Sequence, residues 1–421
     1  MIKRPRGTSD IYGRRMEILS YVTEVFHEVL EKANYHEIVT PTFEAKELFV
    51  RSVGETSDVV SKEMYDFQDK KGRDLVLRPE GTAGVVRALI ENKLYVLNNL
   101  PLKLFYQESM YRYERPQAGR QRQFNQLGIE TFGADDVKQD LEIIVVAMDI
   151  LKALQLDTRA NIHINYLVNG EERVKYTEAL RTYLKSFNDL CSDCQIRIEK
   201  NPLRALDCKI DGAKFTDAPV MSDYLKPEDQ TRFDDLVELL KQMGYQTTID
   251  ANLVRGLDYY TGCVFEIKYD SQINKDQLTL IGGGRYNNLV QELGGPSTPA
   301  AGFGLGIERL LDILENEEIN LPINGDLDIY VIVLTFNDQV MKAINNLRQE
   351  ANLKVDFNLM NNTMKSGFKE AEKYRAKEVM ILGEKELQTN KAKLKNQTSG
   401  EEVEVDLNDW LSIAKIVGEN K

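Results

Sequence analysis

The chain has 421 residues, 42% of them hydrophobic and 29% charged, with a net charge of −13 at pH 7. That composition fits a soluble globular protein of two or three domains, with enough core to fold without disulfide or metal staples. The acidic balance excludes a uniformly basic nucleic-acid coat but leaves room for a local basic patch, because binding depends on where the charges sit. No apolar h-region follows Met1-Ile2-Lys3-Arg4, and no apolar run reaches the length of a membrane span. A signal peptide and a transmembrane helix are therefore not expected, and the cytoplasm is the default address.

The four cysteines are Cys191, Cys194, Cys208 and Cys263. Cys191 and Cys194 have the spacing of a metal or redox pair. No second close pair follows and no histidine lies near in sequence, so reduced thiols and no metal site are expected. His27, His36 and His163 lie far apart and form no ligand or catalytic pattern.

Apolar residues at three- and four-residue steps (Met16, Leu19, Val22, Phe26, Val29, Leu30) predict an amphipathic helix between Tyr12 and Ala33. Tyr35 to Pro41 reads as a short strand stopped by proline, which favours a sheet edge. Asp74 to Arg78 alternates into Pro79-Glu80-Gly81-Thr82, and a helix follows from Ala83 to Asn92. A carboxylate at that turn can hold an ammonium group, or Glu80 and Thr82 can simply cap the helix.

The stretch from Phe105 to Gly133 is the most unusual. Arg112, Arg115, Arg120 and Arg122 crowd around one early acid, Glu114, with the turn-type Pro116-Gln117-Ala118-Gly119 between them. The pattern predicts two strands joined by a long arginine-bearing loop. Arginine offers a planar, permanently charged fork for phosphate, and Phe124 an aromatic face for a base. Alternation over Gln126-Leu-Gly-Ile-Glu130 puts Gln126, Gly128 and Glu130 on one sheet face, forming a small polar pocket if that face is inward.

Asp140 to Leu156 is helical in pattern. Residues 169–241 are helix-rich, charged and irregular, which predicts an insertion into the main domain. Leu253-Val-Arg-Gly-Leu-Asp-Tyr-Tyr-Thr-Gly262 at a strand entrance suits a shaped polar site, since tyrosine can orient a ligand without charge. Gly282-Gly-Gly-Arg-Tyr286 permits close backbone approach but is not a phosphate-binding P-loop. Gly302, Gly304 and Gly306 lead into a helix whose first turn carries Arg309, where an anion meets both that charge and the helix N-terminus. From Asp326 onward, alternating strands and helices predict a separate small α/β domain. Lys365, Lys369, Lys373, Arg375, Lys377, Lys391, Lys393 and Lys395 there form either a nucleic-acid surface or a merely solvated face.

Together these motifs resemble the class II aminoacyl-tRNA synthetases, and within them the histidyl-tRNA synthetase family. Tyr35–Pro41 is similar to motif 1, Met110–Glu114 to motif 2 with Tyr111 where Phe is usual, and Gly302–Arg309 to motif 3. Leu253–Tyr260 and Gly282–Tyr286 resemble the two histidine-specific signatures, with Asn287 where Asp is commoner. The fold implied is α/β overall, of α+β type in the catalytic domain. An antiparallel sheet flanked by helices would occupy residues 1–325, with a helical insertion at about 169–241. An anticodon-binding α/β domain would follow at 326–421. The resemblance implies ATP with Mg²⁺, L-histidine and tRNA(His) as partners, a homodimer, and no membrane association. By the same token Arg112, Glu114, Arg120, Phe124 and Arg309 would bind ATP. Glu80, Thr82, Gln126, Glu130, Arg255, Tyr260 and Tyr286 would bind histidine. Arg255 and Arg112 would be catalytic, and no protein-held metal is implied. The alternative is a synthetase-like regulatory subunit that senses histidine without charging tRNA.

Overall fold

Alternating hydrophobicity in the long strands and one-sided burial in the helices organise the chain around two sheets, each with its own core. This computed structural model describes residues 2–419 apart from 55–56, 97–98, 118, 207, 209, 273–276, 318, 324–325 and 361–362. Ala118 of the arginine loop, Asp207 and Lys209 of the insertion and the expected domain boundary at 325 lie outside the described residues. Backbone contacts divide the chain into Met1–Leu321 and Pro322–Lys421.

The first unit carries β1 (His36–Glu37), β2 (Phe43–Ala45), β3 (Tyr65–Gln68), β4 (Asp74–Leu77), β5 (Leu102–Tyr111), β6 (Gln123–Phe132), β7 (Ala160–Leu167), β8 (Thr247–Ile249), β9 (Thr261–Tyr269), β10 (Leu278–Arg285) and β11 (Ala300–Gly306). Eight of these form one sheet in the order β1-β5-β6-β11-β10-β9-β7-β8. The inner six run antiparallel, and only the short strands at the two edges pair parallel. Strands β2, β4 and β3 make a small separate sheet. The predicted motif 1 strand is shorter than its sequence pattern suggests. Only His36 and Glu37 pair, and the chain to Pro41 runs on as an irregular edge.

That edge is fixed by a buried ion pair. Arg78 Nη1 lies 2.8 Å from Glu108 Oε2 and donates to the Thr40 carbonyl at 2.8 Å. Glu108 in turn accepts from the Thr40 amide at 2.7 Å and its hydroxyl at 2.9 Å. Each charge is thus paired and hydrogen-bonded, the condition under which burial is tolerated.

The predicted first helix spans Arg14–Lys32 and buries Ile18, Val22, Val25, Phe26 and Leu30; of the expected stripe, Val22, Phe26 and Leu30 are buried, Leu19 and Val29 are half-buried, and Met16 is exposed. Helices Thr82–Glu91 and Val137–Ala153 likewise correspond to predicted segments. Between β7 and β8, the region 170–242 folds into helices Gly170–Leu184, Ser192–Lys200, Leu203–Leu206 and Pro227–Gln242 with short turns, as its irregular, charged sequence suggests.

The second unit has β12 (Ile329–Val333), β13 (Val355–Phe357), β14 (Glu378–Leu382), β15 (Lys391–Asn396) and β16 (Glu402–Asp406) in the order β13-β12-β14-β15-β16. The first three pair parallel through helices Asp338–Gln349 and Met364–Lys373, as alternating strand and helix patterns require. The hairpin β15–β16 and the helix Trp410–Glu419 were not anticipated. Among the described residues, no helix is long and apolar enough to cross a membrane.

Candidate active site

Register places the site. On one face of the large sheet, β6 presents Gln126, Gly128 and Glu130, facing Glu108, Tyr106 and Leu104 of β5. On the other side they face Gly306, Gly304 and Gly302 of β11. Gly304 and Gly302 in turn meet Gly282 and Gly284 of β10, and Gly282 meets Glu266 of β9. The period-two glycines therefore open a bare floor in the middle of the sheet. A Cβ at Gly302 would lie 2.2 Å from Glu130 Oε2, one at Gly304 2.0 Å from Gln126 Nε2, and one at Gly282 2.3 Å from Arg255 Nη2. Gly128 makes room for the Tyr106 ring, whose Cζ would stand 2.1 Å from an added Cβ. The alternating glycines of the sequence are thus required by close approach of functional side chains, and no dinucleotide loop is formed.

Over this floor, two adjoining cavities share Arg112, Arg120, Phe124, Arg255 and Arg309 in their walls. The inner one adds Glu80, Thr82, Gln126, Glu130, Tyr260 and Tyr286, and the outer one adds Glu114. Every site residue expected from the sequence lines one cavity or the other.

The inner end is a buried polar nest. Glu130 is 1% exposed; it accepts from Thr82 Oγ1 at 2.7 Å and from the Tyr286 hydroxyl. Burial pushes its carboxyl up to about 8, against the opposing pull of the Tyr286 and Thr82 hydroxyls. Burial also raises Glu80, although Glu80 accepts from the Ala83 amide at 2.9 Å and the Thr82 amide at 2.8 Å. Glu80 therefore caps the helix Thr82–Glu91, and the same residue lines the cavity.

The outer end is cationic. Arg112 donates to the Pro79 carbonyl at 2.8 Å, and its guanidinium lies 5.4 Å from the Phe124 ring centre. Arg120 pairs with Glu114 at 3.2 Å. Arg309 is held by the Thr279 carbonyl at 2.6 Å and the Gly119 carbonyl at 3.3 Å. Burial, and then the charge of Arg120, press the Arg309 guanidinium below its ordinary value. Arg255 pairs with Glu266; burial opposes its charge, and Tyr260, Glu266 and Tyr259 outweigh that opposition. A half-buried guanidinium pressed down by burial and by its arginine neighbours favours a multiply charged anion beside it.

Not all the arginines of the loop serve the cavity. Arg122 stacks 3.9 Å from the Tyr113 ring centre, and its amide donates to the Gly7 carbonyl at 2.7 Å, so it fastens the N-terminal lead-in to the loop. Arg115 is exposed and lines neither cavity. Arg285 of the glycine-rich signature points away from the cavity. Its guanidinium lies 2.9 Å from Asp140 and also holds the Ala134 and Asp136 carbonyls.

Sequence reasoning did not single out Tyr106, Tyr259 or Glu266, nor Arg197 and Arg204, which reach the outer cavity from the insertion. Tyr106 and Glu266 could have been found by extending the face-sharing register from Gly128 and Gly282 to the neighbouring strands. No sequence signal marks Arg197 or Arg204. Among the described residues, no disulfide joins the four cysteines; Cys191, Cys194 and Cys208 gather with Asp211 in the insertion, outside both cavities.

The sequence model for histidyl-tRNA synthetase matches residues 7–169 and 202–310, the elements that build this site. The chain belongs to the histidyl-tRNA synthetase family. An anticodon-binding domain model matches residues 328–415, most of the second unit. A histidine–tRNA ligase from Mesoplasma florum is 50% identical over 418 residues, covering 99% of this chain and 90% of its own. One from Mycoplasma capricolum is 47% identical over 421 residues, 99% of this chain and 100% of its own. Among solved structures, apo S. aureus histidyl-tRNA synthetase superposes with a TM-score of 0.83 at 37% identity, covering 99% of this chain and 100% of that one. The family match stops at residue 169 and resumes at 202, so the part of the insertion carrying Cys191 and Cys194 lies in the unmatched gap.

Proposed function

We propose that this chain activates L-histidine with ATP and transfers the histidyl group to the 3′ end of tRNA(His). The observation that carries this reading is the union, on one glycine floor, of a buried carboxyl nest and a cluster of anion-seeking arginines. The histidine carboxylate attacks the α-phosphorus of ATP, the bond to the β-phosphate oxygen breaks, and pyrophosphate leaves with its electron pair. Histidyl-adenylate remains, and a terminal ribose hydroxyl of tRNA then displaces AMP from the acyl carbon. No protein nucleophile is required, so the site works by positioning and by fixed charge where negative charge develops.

In this reading Arg112 and Arg255 grip the α-phosphate, and Arg120 and Arg309 the outer phosphates. Phe124 stacks on adenine and Glu114 accepts from its amino group. Glu80, Thr82 and Gln126 surround the ammonium and carboxylate of histidine, while Glu130 and Tyr260 meet the two ring nitrogens and Tyr286 closes the pocket. A site that pairs both ring nitrogens rejects ligands that would leave Glu130 or Tyr260 buried and unpartnered. Arg255 and Arg309 would exchange Glu266 and the Thr279 and Gly119 carbonyls, at least in part, for phosphate oxygens. Mg²⁺ would arrive with ATP, held mainly by phosphate oxygens and water.

The second unit would meet the anticodon region of the tRNA. Its basic residues are not one free face: Lys391 pairs with Glu404 at 2.8 Å, Lys393 with Glu402 at 2.9 Å and Lys377 with Asp328 at 2.8 Å. Lys365, Lys369 and Lys373 stand exposed along the helix Met364–Lys373, and these are the side chains best placed to meet phosphate. The reading includes a homodimer acting in the cytoplasm. Charging of a tRNA(His) transcript with labelled histidine in the presence of Mg²⁺ and ATP tests it. Accumulation of histidyl-tRNA supports the assignment, and histidine binding without charging points instead to a regulatory protein.

A further inference from the structure

Three of the four cysteines converge within the insertion. Cys191 precedes the helix Ser192–Lys200, Cys194 lies in its first turn, and Cys208 and Asp211 follow the short helix Leu203–Leu206. The three sulfurs and a carboxylate oxygen of Asp211 all lie within 4.8 Å of one another. Cys194 and Asp211 are wholly buried and Cys208 nearly so. Sulfurs of Cys191 and Cys208 stand 3.8 Å apart. That separation matches the edge of a tetrahedron with Zn–S bonds of about 2.3 Å, about 3.8 Å, and is far beyond a disulfide bond of about 2.05 Å.

We propose that Cys191, Cys194, Cys208 and Asp211 form a structural zinc site that pins the inserted helices beside the nucleotide cavity. Sulfur-rich four-ligand sets with a C-x₂-C pair select Zn²⁺ over the hard cations that prefer all-oxygen shells. The surroundings are those of a metal–thiolate centre. The Asp211 amide points at Cys208 Sγ from 3.5 Å, and the Cys191 amide donates to Asp211 Oδ2 at 2.8 Å, orienting both ligands. Lys214 sits 3.0 Å from Asp211 Oδ1. That cation offsets part of the excess negative charge that three thiolates and a carboxylate leave on Zn²⁺. Binding releases the thiol protons to buffer.

Position gives the site its consequence. The segment between Cys194 and Cys208 carries Arg197, 3.2 Å from Asp58, and Arg204, 3.5 Å from Asp258 and hydrogen-bonded to the Gly256 carbonyl. Asn201 also donates to Asp258 at 2.9 Å. Gly256 and Asp258 lie between Arg255 and Tyr260 in the chain, so the zinc knot braces the loop that delivers them. This bracing role rests on the proposed function, whereas the metal site does not.

The test begins with the full-length chain purified under a thiol reductant, incubated with zinc chloride, freed of loose metal by gel filtration and analysed for metal by mass spectrometry. About one zinc per chain is expected, retained in Cys263→Ser and falling to near zero in Cys208→Ser. Cobalt substitution of the wild type should give the intense thiolate-to-metal absorption of a tetrahedral sulfur site. This second readout needs no variant to fold. Wild-type protein that keeps no zinc, or takes up cobalt without that absorption, overturns the proposal. If the metal site holds but histidine-dependent activity is absent, only the bracing role and the functional reading fall.

Discussion

Glu130 offers a prediction that needs no substrate. Its carboxyl titrates near 8 in the folded chain, against an ordinary value of 4.5, because burial disfavours its charge. Between those values the folded state holds a proton that the unfolded state has lost. Stability is therefore fully present below about 4.5 and declines as pH rises toward 8. The slope approaches about 1.4 kcal/mol per pH unit, and integration from pH 5.5 to 7.5 gives a loss of about 2–3 kcal/mol from this group alone. Glu130→Gln keeps the shape and can still bond both hydroxyls, accepting from one and donating to the other, but cannot ionise. Urea unfolding of wild type and variant across that pH range should show the variant gaining on the wild type by about 2–3 kcal/mol. Parallel pH dependence in the two proteins would refute a buried Glu130 that holds its proton.

Other consequences follow from the same geometry. Glu130→Ala should raise the KM for histidine and weaken discrimination against other amino acids, measured by steady-state adenylate formation. Arg255→Ala should lower kcat for adenylate formation by about 10²- to 10³-fold while changing ATP binding less, the expected cost of removing fixed positive charge from the reacting centre. Gly304→Ala would put a methyl 2.0 Å from Gln126 Nε2, displacing that amide, so histidine KM should rise while circular dichroism stays unchanged. Arg78→Met should cost about 3–5 kcal/mol in urea unfolding, because Glu108 would be left buried without its partner.

Much of this was legible in the sequence because it rests on local pattern. Alternation along Gln126–Glu130 directed three residues to one face, and the register with β11 made that face the cavity floor. The stripe of the first helix and the strands and helices around β12 to β14 were equally readable, since each element buries one periodic side. The roles of particular arginines were not. Arg112 and Arg122 look alike in sequence, yet one faces the cavity and the other stacks on Tyr113, a distinction made by the N-terminal lead-in and its Gly7 carbonyl. Glu266 emerges only when the register of β9 with Gly282 is followed, and its pairing with Arg255 depends on how the loop before β9 folds back. The cysteine cluster was missed for the same reason. A single C-x₂-C pair has no meaning until the turn after Leu206 returns Cys208 and Asp211 to it.

The central claim is that the carboxyl nest and the arginine cluster act on one bound pair of substrates. ATP–pyrophosphate exchange by the purified chain, with each amino acid supplied in turn, tests this most directly. The account predicts exchange that depends on histidine and is not supported by the others. Exchange absent with histidine although histidine binds, or supported equally by several amino acids, would contradict it.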